Sequence, residues 1–546
     1  MSKKRREKKL REWQRRLQVP AEGVAKPVVQ TAEEESKPSS PTPSEPVGVR
    51  LWAALIPVAV LLLLLVLNFR PIMQNDFWMH LKIGEDILDT LEIPTVDGYS
   101  AVAAGRPFIA HEWLSGVLLA LVGGAFGPAG FSALGALVAT AIAALLFFAL
   151  PKGARRTFLL APLGALAAYL TDFRLVIRPD LFTMLLLAVW AFSIERWRRS
   201  HDRWTLLLLV PLVTVWANLH GAFLFGVVAL WGMALLITVE HFTRLQRTDE
   251  PDCSEHDLRT ALIVAGLAAV ACLLNPRGWH LPLFSLHMAT GQAFEQVRAV
   301  TEWQATFDTE SYFYKNFPYL VHAHGAWLLV LWGGLLLRLG ERPLFDFAIA
   351  GVATYISIRQ NRFIPYAAIF GLPIAVRSWS GLIEQYAPDL QRALSSRISK
   401  VVGAVLVLGF TAFVLKRGYP LGPENTAALG WGYGSRQPTA ETAYIKEQGL
   451  SGVLYNERMP DGAYLIRELF PAVRVVMDMR LDVYGQELCD EYDATKSNRQ
   501  GLTDYVYKYG VNLALVNNDS WIADHFQRNL GFRTVFTGAE RSVLTR

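Results

Sequence analysis

LWAALIPVAVLLLLLVLNFRPIMQNDFWMHLKIGE (residues 51–85) joins two kinds of sequence that seldom meet in a soluble protein. Its first part, 51–69, is apolar and carries no charge. A run of about 18 such residues is what the hydrocarbon core of a bilayer asks of a helix. Just beyond it stand Asp76 and His80, four positions apart and so on one face of any helix that forms there. A carboxylate and an imidazole at the exit of a membrane span could bind a divalent cation, form a carboxylate-oriented base, or merely decorate an interface. Taken alone, the pair reads as an acid at a helix start with an interfacial histidine beside it.

The rest of the chain favours the membrane. It is 52% hydrophobic and 18% charged, where soluble domains carry about 25% charged residues. The apolar excess falls in blocks such as FSALGALVATAIAALLFFAL (131–150) and VVGAVLVLGFTAFVL (401–415). The fold class is therefore a polytopic α-helical membrane protein. Cys253, Cys272 and Cys489 are too scattered for a disulfide framework or a zinc cluster, and no residue is assigned as a metal ligand. Residues 1–50 are basic, then rich in Pro, Ser and Glu. They read as a partly disordered cytoplasmic tail drawn to anionic lipid, with no nucleic-acid partner. The first apolar run is too long for the core of a cleavable signal peptide.

Charge bias orients the spans. With the basic N-terminus inside, 51–69 leads out and 70–112 becomes a large external loop. WLSGVLLALVGGAFG (113–127) is short and glycine-broken, and reads as an interfacial helix. Eleven spans result, at 51–69, 129–150, 157–171, 180–194, 204–217, 220–238, 260–275, 323–338, 343–358, 363–378 and 400–416. Lys/Arg-bearing segments such as PKGARR (151–156) and ERWRRSHDR (195–203) fall inside. TDFRLVIRPD (171–180), ANLHGAF (217–223), LLNPRGWH (273–280), TEWQATFD (301–308) and IRQNRF (358–363) fall outside, together with Asp97, His111 and Glu112 of the first loop. Polar groups at membrane edges are costly unless they pair, meet water or bind something. Their gathering on one side is the main functional signal.

Arg174, Arg178, Arg359 and Arg362 break the positive-inside pattern and could clamp a phosphate through bidentate hydrogen bonds, or pair with nearby acids such as Asp180. Asn218, His220 and Asn275 fit helix caps as well as they fit ligands. Glu112 could cap the helix it precedes or face the site. No Walker, GxGxxG, GxSxG or HExxH motif stands in a suitable context, which argues against nucleotide-driven chemistry. Beyond 416 the apolar blocks stop. GVLYN, VRVVMDMR and NLALVNN alternate with helical stretches, as in a compact α/β domain over 417–546. The odd span count puts it outside too. Asp478, Arg480, Asp482 and Tyr484 of MDMRLDVYG read as structural ion pairs within reach of the membrane site.

DFWMHLKIGEDIL, IPTVDGYS, HEWL, NLHGAF, LNPRGWH and MDMRLDVYG together resemble a bacterial membrane-protein family near the GT-C superfamily of integral membrane glycosyltransferases. That superfamily includes protein O-mannosyltransferases and lipid A aminoarabinose transferases. The resemblance covers residues 51–416 and implies an inner-membrane enzyme. It would move a sugar from a polyprenyl-phosphate donor to an extracytoplasmic lipid, glycan or protein acceptor. Asp76 matches the catalytic acid of the first loop and would be the base, although the family's acidic doublet reads Asn75-Asp76 here. His80 and Glu112 would support it, and Arg359 and Arg362 would hold the phosphate. Asp97, His111, Arg174, Arg178, His220 and Glu302 complete the expected substrate-binding set. The alternatives are a lipid-linked glycan flippase and a non-catalytic assembly protein.

Overall fold

The computed structural model describes residues 47–546 except 70, 73, 152–157, 245–252, 291–300, 342, 418, 423–424, 428–429, 431 and 435–436. Most of the basic tail and of PKGARR therefore lie outside the described residues. Among the described residues, every segment read as a span is helical over most of its length. In chain order the helices are α1 (Val47–Asn68), α2 (Phe77–Thr90), α3 (Trp113–Ala149), α4 (Leu160–Asp172), α5 (Asp180–Ser200), α6 (Arg203–Leu207) and α7 (Leu209–Leu219). They continue as α8 (Phe223–Thr243), α9 (Glu255–Ala271), α10 (His280–Thr290), α11 (Pro318–Leu336), α12 (Leu344–Arg359), α13 (Ile364–Tyr386) and α14 (Arg397–Arg417). Among the described residues, five helices are long and apolar enough to cross a membrane: Trp113–Ala149, Phe223–Thr243, Pro318–Leu336, Asn361–Tyr386 and Arg397–Lys416. Leu55–Asn68 and Arg203–Leu219 are shorter apolar helices.

Two local features set the ground for the site. α3 is not one rod, because Gly127 takes φ 59° and ψ −159° before Pro128, so 113–126 and 128–149 are separate helices. Only glycine enters that region without strain, and proline lacks the amide a continuing helix needs. The first of the two then lies against α2 at backbone contact. A Cβ on Gly84 would fall 2.0 Å from the Gly116 carbonyl oxygen, and one on Gly116 would fall 2.6 Å from that of His80. Small residues permit such an approach, as they do wherever helices meet closely in a bilayer.

At the far end of α5 a second polar group ties the helices together. Arg198 and Arg377 share Asp346, each at 2.6 Å, and Arg377 also reaches Glu195 at 2.6 Å. The four charges join α5, α12 and α13 through groups that are nearly all buried. Each has a partner, which is the condition for tolerating charge at such depth.

After α14 come β1 (Tyr419–Gly422) and β2 (Asn425–Ala427), then α15 (Thr439–Glu447), β3 (Gly452–Asn456), α16 (Gly462–Leu469) and β4 (Val473–Val475). α17 (Leu481–Ser497), α18 (Arg499–Lys508), β5 (Leu513–Asn517), α19 (Trp521–Asn529), β6 (Arg533–Thr537) and β7 (Arg541–Thr545) follow. The five-stranded sheet runs β4-β3-β5-β7-β6, with β4, β3 and β5 parallel and β7 antiparallel to both its neighbours. GVLYN and LALVN are continuous apolar runs because a central parallel strand is covered on both faces. The final hairpin turns where the Gly538 amide donates to the Arg541 carbonyl at 2.8 Å.

This sheet is fastened to the first loop. Ser100 bridges to Val475 in parallel, and the Ala101 amide donates to the Val475 carbonyl at 2.8 Å. Arg480 clamps Asp478 through Nε and Nη2 and reaches Asp97 through Nη1 at 2.7 Å. Tyr484 donates to the same Asp478 at 2.7 Å, and all four groups are buried. Trp78 is enclosed by Tyr433 and Tyr464, and Arg467 pairs with Glu85 at 2.9 Å.

Candidate active site

A cavity of about 260 Å³ opens where α2, the start of α3, the α4–α5 turn, the 302–303 turn and the segment after β4 meet. Asp76, His80, His111, Glu112, Arg174, Arg178, Asp180, His220, Glu302, Trp303, Arg362, Arg480 and Asp482 all line it. Arg277 braces the first loop beside it, donating to the carbonyls of Phe108, which lines the cavity, at 2.8 Å and of Pro94 at 3.2 Å.

Glu112 sits at the N-terminus of α3 but makes no capping bond with its side chain. It faces three imidazoles instead. Nε2 of His80 is 3.3 Å from one carboxylate oxygen, while Nε2 of His220 and of His111 lie 3.1 and 3.7 Å from the other. The tautomer of His220 follows from its neighbours. Trp216 donates to the Thr183 hydroxyl at 2.9 Å, that hydroxyl lies 2.9 Å from His220 Nδ1, and the Ala222 amide donates to the same Nδ1. Nδ1 is thus an acceptor, so the ring proton sits on Nε2 and points at Glu112. Burial pushes His220 down to about 4, against the pull of Glu112, so this ring stays neutral at pH 7. Burial also opposes the charge on Glu112. His80, His111, His220 and Arg178 together outweigh it and hold the carboxyl below its ordinary range.

Asp76 occupies the cap position of α2, yet it too makes no capping bond. Its Oδ2 lies 3.3 Å from Nη1 of Arg178, whose Nη2 reaches Glu302 at 2.9 Å. Arg174 holds Asp180 through Nε at 2.9 Å and Nη2 at 2.5 Å, and also pairs with Glu302. The second alternative for these arginines, pairing with nearby acids, therefore applies to both Arg174 and Arg178. Burial and the neighbouring Arg178 bring Arg174 down to about 9. Burial works against Arg178 as well, but Asp76, Asp180 and Glu112 raise it above its usual value.

Arg362 differs from both. Its guanidinium lies over the Trp303 ring, 4.5 Å from the centroid, and 5.6 Å from that of Phe363. No carboxylate stands within ion-pair distance of it among the described residues. The ring fixes a planar cation without neutralising it, which leaves its edge able to take an oxyanion.

Of the residues expected from sequence, Asp76, His80, His111, Glu112, Arg174, Arg178, His220, Glu302 and Arg362 meet in this cavity. Asp97 and Arg359 do not line it. Asp97 is 1% exposed and accepts from Ser100 and Arg480, so it fastens the sheet to the loop. Arg359, three residues from Arg362, is exposed at the end of α12, because the chain leaves the helix at Gln360. Asn218 accepts from Trp113 and donates to Thr214 and Leu274 carbonyls, and Asn275 closes a turn on Gly278. Both serve as caps and braces. Asp180, Trp303 and Thr183 were not singled out as site residues. A tryptophan adjoining Glu302 was a visible cue, whereas Thr183 sits inside an apolar helix and offers none. No group of three or more His, Cys, Asp or Glu side chains among the described residues is arranged to hold a metal ion.

No protein-family model and no curated protein matches the chain. Solved structures do. The oligosaccharyltransferase AglB of Archaeoglobus fulgidus, in complex with an inhibitory peptide and a dolichol-phosphate, superposes with a TM-score of 0.56 at 12% identity, over 86% of this chain and 69% of that one. The apo form of that organism's oligosaccharyltransferase gives 0.53 at 14% identity, over 85% and 69%. ArnT from Cupriavidus metallidurans in the apo state gives 0.51 at 16% identity, over 91% and 97%. Identities this low speak to architecture alone, and the architecture agrees with what the sequence resemblance implies. The chain shares its fold with these proteins, the architecture expected from the resemblance to the GT-C superfamily.

Proposed function

We infer that the protein is a membrane glycosyltransferase that moves a sugar from a polyprenyl-phosphate carrier to an acceptor bearing a hydroxyl or amine. The observation that carries this reading is the composition of this cavity: a partly exposed carboxylate, Asp76, and an aromatic-stacked arginine, Arg362, without an acidic partner among the described residues. Displacement at an anomeric carbon needs a base for the incoming nucleophile and a counter-charge for the departing phosphate. Asp76 is suited to the first task, since its side chain is 31% exposed while those of Glu112 and Asp180 are 14% and 4%. It would accept the acceptor proton as the new C–O or C–N bond forms. Arg362 would receive the lipid phosphate as its bond to the sugar breaks. The neighbour AglB was solved with a dolichol-phosphate, which supports a lipid phosphate as the leaving group.

His80, one turn after Asp76 and held by Glu112, is the next group placed to take a proton. Arg178 keeps Asp76 oriented, and Glu302 is positioned to keep Arg178 from collapsing wholly onto the base. The setting would be the outer face of a bacterial inner membrane, with the sheet domain over 417–546 on the same side as the cavity. The test is replacement of Asp76→Asn in cells, followed by mass analysis of lipid-linked sugars and surface glycans. Loss of a glycan modification with accumulation of its lipid-linked donor is expected. An unchanged glycan profile in that variant, expressed at normal level, refutes Asp76 as the base.

A further inference from the structure

The stretch MDMRLDVYG (477–485) carries four ionisable side chains, and three of them are paired. Arg480 binds Asp478 and Asp97, and Tyr484 donates to Asp478. Asp482 is the exception. It lines the cavity, and no other side chain among the described residues forms a hydrogen bond or ion pair with it. His111, the charge that acts on it most, is engaged elsewhere. Nδ1 of that ring donates to the Ile109 carbonyl at 3.1 Å, and Nε2 faces Glu112 at 3.7 Å.

The backbone under Asp482 is held on both sides. The Leu481 amide donates to the Met479 carbonyl at 3.0 Å and the Val483 amide to that of Arg480 at 2.9 Å, which closes a tight turn. Arg106 of the first loop donates to the Tyr484 carbonyl at 2.6 Å. Gly485, at φ 68° and ψ 175°, then separates 481–484 from the rest of α17. Asp482 also follows the carboxyl end of β4, which runs parallel to β3. Parallel sheets meet their ligands outside such ends.

Its surface stays open, yet enough protein stands around the carboxyl to raise it above its ordinary range, against the pull of His111 and Arg480. A carboxyl group in that setting gains from any N–H or O–H brought to it. Arg362, on which Asp180 acts most, stands apart from it in the same cavity of about 260 Å³. Pockets for drug-sized ligands measure about 300–1,000 Å³, so this one suits a single small ring.

We propose that Asp482 is the residue by which the sheet domain reads the donor sugar, accepting hydrogen bonds from its ring hydroxyls or from an ammonium on the ring. The proposal rests on the transferase reading. A phosphate held at Arg362 carries its sugar covalently, so the ring lies in the same cavity, where Asp482 can meet it.

The test measures binding of three ligands to the full chain in detergent: bare polyprenyl phosphate, the same carrier with a neutral hexose, and the carrier with an amino sugar. Wild type should hold one sugar-bearing ligand at least about tenfold tighter than the bare carrier. Asp482→Ala should bind the bare carrier as wild type does and lose that advantage, a split that a merely structural role would not produce. Asp482→Asn should keep part of it for the hexose, since the amide oxygen still accepts, and lose it for the ammonium. An Asp482→Ala protein that keeps the full advantage overturns the proposal and leaves the transferase reading standing. Equal weakening of all three ligands in that variant, or a wild type that holds all three alike, does the same. A wild type that binds none of them overturns both.

Discussion

Replacing Gly84 by alanine tests whether the cavity depends on the backbone contact between α2 and the first part of α3. The new methyl carbon would lie 2.0 Å from the Gly116 carbonyl oxygen, 2.2 Å from its carbon and 2.8 Å from the Val117 nitrogen. Ordinary contact begins at 3.4 Å, so the helices must part by about 1.4 Å. Every obstructing atom is backbone, and no side chain can swing away to relieve it. Overpacking of this kind costs about 3 kcal/mol or more, the upper part of the usual range. The functional consequence is larger than the thermodynamic one. His80 and Glu112 stand one turn before Gly84 and Gly116, so separation there stretches their 3.3 Å contact beyond hydrogen-bond range. A displacement of about 1 Å in a reacting geometry costs on the order of 100-fold in rate. Gly124→Ala, in the same helical segment and with nothing within 4 Å of its added carbon, is the control. It should be neutral or stabilising by up to about 1 kcal/mol. The assays are thermal unfolding in detergent and complementation scored by glycan mass. A Gly84→Ala protein as stable and active as Gly124→Ala would refute the claim that this crossing sets the site.

Arg362→Ala should abolish turnover, and Arg362→Lys should restore little of it, because an ammonium lacks the planar fork that lies over Trp303. Binding of a radiolabelled polyprenyl phosphate checks this, and wild-type affinity in Arg362→Ala would refute it. His220 has a folded value near 4 against 6.5 when unfolded, so the unfolded chain binds the proton first. Stability should therefore fall as pH drops from about 6.5 towards 4, by about 2 kcal/mol between pH 7 and 5. Glu112, depressed in the folded state, adds a further loss as pH falls below its ordinary range. In His220→Gln the pH 7 to 5 slope should flatten, and an unchanged melting curve would count against a neutral buried ring. Asp97→Ala leaves Arg480 with Asp478 alone and removes the buried ionic link from the sheet to the loop, leaving the backbone contacts of Ser100 and Ala101 with Val475. Breaking a buried pair typically costs about 3–5 kcal/mol. Proteolysis should then release residues 417–546 faster, and equal resistance would show that the sheet is held elsewhere.

The membrane helices were legible in the sequence because lipid imposes a one-dimensional rule: backbone polar groups must be satisfied within the helix, and side chains must be apolar for about 20 residues. The strands GVLYN and NLALVNN and the final hairpin were legible for a related reason, since local pattern and turn chemistry determine them. Nine of the expected site residues meet in one cavity because polar groups at helix ends have few other places to go. Which partners each of them meets was decided only in three dimensions. Asp97 looked like a site acid and became a fastener, because Arg480, 383 positions away, folds onto it. Arg174 and Arg178 found acids, while Arg362 found a tryptophan. Glu112 gathered three histidines from separate elements, and Thr183 fixed the tautomer of one of them from inside an apolar helix. A sequence states which side chains are available near a membrane surface. Partner choice depends on distances of a few ångströms between elements far apart in the chain, and the contact of Gly84 with Gly116 is one of the places where those distances are set.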